Sequence, residues 1–155
     1  MGPTNLDVFT ENIIKDAVYG LGVVAIVLLF TSALFIRIFL VFNKYCHSRD
    51  QFSSFELTVR FMVAILLICI VQVFSILIWT AALYFGGLVD NLTLAMLFAG
   101  SCYTTIGIFS AKLPDGWRSI SFYIAFSGLF SFALATSAMI SMIGTINKKI
   151  LQVKF

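Results

Sequence analysis

Chemistry in this chain has to come from few residues, and the most suggestive run is Tyr103-Thr104-Thr105-Ile106-Gly107. Two threonine hydroxyls supply oxygen ligands. A glycine permits the positive φ that turns successive backbone carbonyls to one side. Rings of such carbonyls, contributed by several chains, can replace the hydration shell of a cation. By itself the run is short enough to recur by chance in membrane helices, and both threonines could instead hydrogen-bond backbone in a buried turn. Other reactive groups offer less. His47 is the only histidine, which excludes a bis-histidine haem or His-rich metal site within one chain. Cys46, Cys69 and Cys102 are odd in number and lack CxxC spacing, so they read as small buried hydrophobes, not as a disulfide framework or metal site. No Ser-His-Asp set, Glu-x-x-His motif or carboxylate pair lies in an apolar run, so an enzyme is not expected.

The elements that position the Tyr103–Gly107 run follow from composition. Of 155 residues, 61% are hydrophobic and 11% charged, under half the charge usual in a soluble domain. The net charge of +3 is too small to imply a nucleic-acid partner. Residues 17–36, 61–89, 92–111 and 119–147 contain no ionisable acid or base, and apolar runs of this length read as membrane spans. An all-α integral membrane protein is expected, and a water-soluble enzyme is excluded. The chain divides into an N-terminal lead-in (1–16), a first transmembrane helix (17–43), a polar cytoplasmic loop (44–56), a second, outer helix (57–86), a pore helix with a filter-like loop (91–110), an inner helix (117–147) and a basic tail (148–155).

The run from Leu92 to Ala111 differs from the other three. Its second half is crowded with Gly, Ser and Thr, which leaves a helix of twelve residues, Leu92 to Tyr103. At 1.5 Å per residue such a helix is ~18 Å long, against a ~30 Å hydrocarbon core. A re-entrant half-helix with an extended return fits better than a full span. Charge placement agrees. With three spans, Arg37, Lys44, Arg49, Arg60, Lys148, Lys149 and Lys154 share one side, leaving Lys15, Lys112 and Arg118 on the other. This split of seven to three would fall to six against four if the fourth run crossed. The positive-inside rule therefore favours three spans, N-terminus outside and C-terminus cytoplasmic. Irregular backbone at membrane depth must be enclosed by protein, so an oligomer is required.

Larger stretches carry a resemblance. Ile78 to Gly86 (IWTAALYFG), Ala95 to Phe98 (AMLF) and Tyr103 to Arg118 resemble small bacterial potassium-channel-like proteins with an extra helix before the helix, pore loop, helix unit. Their pore segment typically reads TTLGYGD, then a short linker to LPPxWR. Here TTIGIFS, Ala111-Lys112 and LPDGWR align without a gap from Thr104 to Arg118. The resemblance implies a homotetramer in a bacterial inner membrane. It also implies a filter formed by Thr104, Thr105, Ile106, Gly107, Ile108 and Phe109, passing K+ or Na+ and needing no other cofactor. Ile108, Phe109 and Ser110 replace the family's Tyr, Gly and Asp. Holding Phe109 at positive φ would cost ~1–3 kcal/mol per chain, so the outer filter is expected to be reshaped or plugged by its ring. Loss of the acid at Ser110 leaves Asp90 and Asp115 as candidates for the pore mouth. A degenerate-filter cation channel is the first expectation. A non-conducting structural or accessory subunit of a larger membrane complex is the alternative.

Gln72 is expected to act as interhelical glue. Trp117 and Arg118 are expected to form an interfacial anchor. Ser127, Gly128, Ser131, Ala135, Ala138, Ser141 and Thr145 form a small-residue stripe that suits either close helix packing or an inner cavity. The lysine-rich tail suits anionic lipid.

Overall fold

The computed structural model describes residues 5–47, 54–114 and 116–154, with side chains described from 14–46, 55–114 and 116–149. Among the described residues the chain is all helix and loop, with no strand: α1 (Asn5–His47), α2 (Ser54–Phe85), α3 (Leu92–Tyr103) and α4 (Ile120–Lys154). Three apolar stretches, Ile14–Cys46, Phe55–Phe85 and Ile120–Lys149, are long enough to cross a membrane, and α3 is not. At 12 residues α3 coincides with the helix expected between Leu92 and Tyr103.

Two helix ends before the candidate site are set by local chemistry. α2 stops at Gly86-Gly87, where Gly87 takes φ +67. The Leu88 amide donates to the Leu83 carbonyl (3.0 Å) and the Gly87 amide to that of Tyr84 (3.1 Å), the paired bonds of a Schellman cap. Leu83 and Leu88 are both buried, supplying its apolar contact. α3 then starts at Asn91, whose Oδ1 accepts from the amides of Thr93 (2.9 Å) and Leu94 (3.2 Å). This satisfies two of the four amides that a helix start leaves unpaired.

The chain forms two compact units. In the first (residues 1–29 and 74–130), α3 buries Ala95, Phe98, Ala99, Cys102 and Tyr103 against Trp79 and Leu83 of α2, Ile120 and Ile124 of α4, and Val23 and Val27 of α1. Trp79 is fully buried and its indole Nε1 donates to Ser127 Oγ at 2.8 Å, so its one polar atom is satisfied. α1 is held by polar as well as apolar contacts. The Tyr19 hydroxyl donates to the Ala82 carbonyl (2.7 Å), and its ring meets Trp117 edge-on at 5.7 Å. Trp117 therefore packs within the chain, a use beyond the interfacial anchoring read from its position.

The N-terminal lead-in is continuous with α1, and α1 brings Asp16 to the start of α4. Asp16 is fully buried, and its Oδ2 accepts from the Ser119 amide at 3.2 Å. A carboxylate there complements the positive end of a helix and replaces a local cap. Asp16→Ala should destabilise the protein by ~1 kcal/mol, as loss of a capping side chain does. Asp16→Asn, which keeps the acceptor, should cost less. Denaturant titration in detergent followed by circular dichroism measures both.

In the second unit (residues 30–73 and 131–155), Phe35, Phe42 and Cys46 of α1 pack with Leu57, Ala64 and Ile68 of α2 and with Ala135 and Met142 of α4. Thr145 Oγ1 donates to Asn43 Oδ1 at 3.1 Å, and Gln72 is buried, with no hydrogen bond from its Nε2 to a described residue. The small-residue stripe is divided. Ser127 and Gly128 are buried in the first unit and Ser131 and Ala135 in the second, so these four serve packing, whereas Ser141 is exposed. Cys46 and Cys102 are buried free thiols, and Cys69 is exposed.

Candidate functional site

The site is the turn that follows α3. Thr104 caps the helix: its amide donates to the Gly100 carbonyl at 3.0 Å, and its hydroxyl donates to the same carbonyl at 2.7 Å. This is the backbone-bonding role open to either threonine. Thr105 follows with φ +60, the one non-glycine residue at positive φ among those described, and Gly107 has φ +67. A β-branched residue in the left-handed region costs ~1–2 kcal/mol, so the surrounding structure must impose it. The Thr105 amide donates to the Cys102 carbonyl (2.9 Å) and the Gly107 amide to the Ser101 carbonyl (3.0 Å). Both amides thus satisfy carbonyls that the end of α3 leaves unpaired.

That anchoring sets the direction of the carbonyls. In a trans peptide the N–H and C=O point opposite ways. With the amides of Thr105 and Gly107 turned onto the end of α3, the Thr104 and Ile106 carbonyls turn away from it. The Thr105 hydroxyl donates to the Thr104 carbonyl at 2.7 Å, placing a second oxygen beside the first. The C-terminal end of a helix carries roughly half a negative charge, so this cluster of oxygens favours a cation.

The pattern ends after Gly107. Ile108 and Phe109 do not take positive φ. The Phe109 carbonyl lies 3.3 Å from Ser101 Oγ, whose single proton it shares with the nearer Phe98 carbonyl (3.0 Å), and so faces back toward α3. The chain has reversed and runs along the last turn of the helix. Ile106 is 62% exposed and Ile108 74%, so neither side chain is used in packing this chain. Phe109 and Ser110 are exposed too. Of the residues assigned to the pore mouth, Asp90 is exposed and precedes Asn91 at the opposite end of α3 from Thr104, and Asp115 lies outside the described residues.

Two contributors escape sequence reasoning. Ser101 holds the return segment chiefly through its carbonyl, which accepts from the Gly107 amide, but nothing distinguishes it from other serines in apolar runs. Gly128 faces the end of α3: a Cβ there would fall 2.9 Å from the Tyr103 carbonyl carbon and still nearer its oxygen. Its membership of the small-residue stripe was the available signal.

Among the described residues no group of three or more His, Cys, Asp or Glu side chains is placed to hold a metal ion. Any ion held here would be bound by backbone and hydroxyl oxygen. Fold and composition together define an all-α integral membrane protein with three spanning-length helices and a fourth, short apolar helix. No protein-family model, curated protein or solved structure matches the chain.

Proposed function

We propose that the chain is a pore-loop membrane protein that resembles potassium channels, working as an oligomer, a homotetramer by that resemblance, that passes K+ or Na+ with poor selectivity. In this reading α3 enters the membrane from outside and stops about halfway, residues 104–110 return along it, and the ion path runs past Thr105, Ile106 and Gly107. The membrane is the bacterial inner membrane, with the N-terminus outside and the C-terminus cytoplasmic. The observation that carries the reading is the pair of left-handed residues, Thr105 and Gly107, with amides tied to the end of α3 so that the Thr104 and Ile106 carbonyls turn outward. Strain imposed on a β-branched residue is a feature that recurs at functional sites.

Purified protein in liposomes should show cation flux without strong preference between K+ and Na+. Ile108→Tyr combined with Phe109→Gly, which restores a residue able to take positive φ, should raise the preference for K+. Silence of both proteins would sink the channel reading. One observation favours the non-conducting accessory subunit instead: the Phe109 carbonyl is turned onto Ser101 and Ile108 is left exposed, which suits a contact surface. Silence together with isolation as a single copy in a hetero-complex would establish that second reading.

A further inference from the structure

The second unit holds an apolar groove of about 340 Å3 between α1 and α2, within the size range of ligand sites. Its lining extends from Arg37 to Tyr45 on one helix and from Val59 to Leu67 on the other. Eight residue rises along each helix make it ~12 Å long. Ile38, Val41, Val63 and Leu67 form its walls, and the polar groups on its lining are Arg37, Arg60 and the Tyr45 hydroxyl. Arg60 is held in place, its Nη2 3.0 Å from Glu56 Oε1 and its guanidinium 5.1 Å from the Tyr45 ring centroid. Arg37 is exposed and makes no ion pair with a described residue, although it lies inside the apolar stretch Ile14–Cys46.

A guanidinium in an apolar helix requires a counter-charge or a route to the headgroups. Glu56 is committed to Arg60, so no acid among the described residues pairs with Arg37. An open, elongated, apolar groove suits a hydrocarbon chain, and the planar guanidinium fork pairs two-to-two with a phosphate. We propose that the groove binds an anionic phospholipid, one acyl chain lying between Val41 and Val63 and the phosphate pairing with Arg37, with Arg60 as the second cation. The proposal depends on the membrane class of the protein and is independent of conduction.

Native mass spectrometry of the full-length protein in mild detergent, with phosphatidylglycerol or phosphatidylcholine added, tests it. Phosphatidylglycerol should bind about tenfold more tightly than phosphatidylcholine. Arg37→Gln should weaken phosphatidylglycerol binding about fivefold, the worth of one basic side chain near a membrane surface, while Arg37→Lys should keep most of it. Val63→Trp, which fills the groove without changing charge, should reduce binding of both lipids. Arg118→Gln, outside the groove, should bind as wild type does. Circular dichroism of each variant checks that helicity is kept; Arg37 and Val63 are both exposed and tolerate substitution. Equal binding of the two lipids, unchanged binding by Arg37→Gln or Val63→Trp, or displacement of lipid by inorganic phosphate at equal concentration would each overturn the proposal.

Discussion

Gly128→Ala should destabilise the protein by about 3 kcal/mol or more, at the upper end of what overpacking costs, because the atom met is backbone. The added Cβ would fall 2.9 Å from the Tyr103 carbonyl carbon and 3.2 Å from its Cα, with the carbonyl oxygen closer still. Tyr103 is fully buried and is the last residue of α3, so it has no free direction in which to move. Relief requires α3 to lift away from α4, which would carry Thr104 and the anchored turn with it. Gly144→Ala is the matched control. It lies on the same helix with nothing within 4 Å of the added atom, and alanine should be neutral or stabilising there by ~0.5–1 kcal/mol. Unfolding in a mixed-detergent titration, read by circular dichroism, should separate the two variants clearly. Equal stability would mean that α3 does not pack against α4 at this position.

If the proposed channel reading holds, Gly107→Ala abolishes cation flux while leaving the fold nearly intact. Gly107 has φ +67 and nothing within 4 Å of an added Cβ, so the penalty is conformational only, ~1–2 kcal/mol per chain. A single chain tolerates that, but the proposed ring would repeat it in every subunit at the point where its carbonyls align. The cheapest relief is a flip to negative φ, which takes the Gly107 amide off the Ser101 carbonyl and redirects the Ile106 carbonyl. Gly87 provides an internal comparison, with the same φ of +67 and the same open space, in the α2–α3 loop. Gly87→Ala should cost similar stability and leave flux unchanged. If both variants conduct like wild type, the ion path does not run past Gly107. If both lose flux equally, the loss reports stability and not filter geometry.

Hydropathy located the spanning segments and the short helix well, because both depend on local runs of apolar residues bounded by polar ones. Thr104 to Gly107 mark the end of α3 in the sequence as clearly as in the structure, whereas Asn91 emerges as its N-cap only in the structure. Helix ends were legible only where a breaker stands near them. Residues 1–16 read as a separate lead-in because acids interrupt the apolar pattern, yet α1 begins at Asn5. No Gly or Pro lies between Pro3 and Gly20, and charge does not end a helix. Likewise α4 continues to Lys154, past the lysines that close its apolar run. Its start falls at Ile120 instead of Trp117, since Pro114 and Gly116, at φ +92, shape the turn before it.

The sequence by itself determined the membrane class, the three helices of spanning length, the length of α3 and the oxygen-rich composition of the turn, all of which are properties of contiguous residues. It also divided the charges, seven basic residues against three. Only tertiary structure decided that Thr105 is left-handed, that Phe109 turns back onto Ser101, that Asp16 caps α4 from 103 residues away and that Gly128 is needed for close approach. Each of these depends on where a helix end meets another part of the chain. Backbone groups left unpaired at those ends take whichever partner packing brings near, and no local pattern of residues encodes that choice.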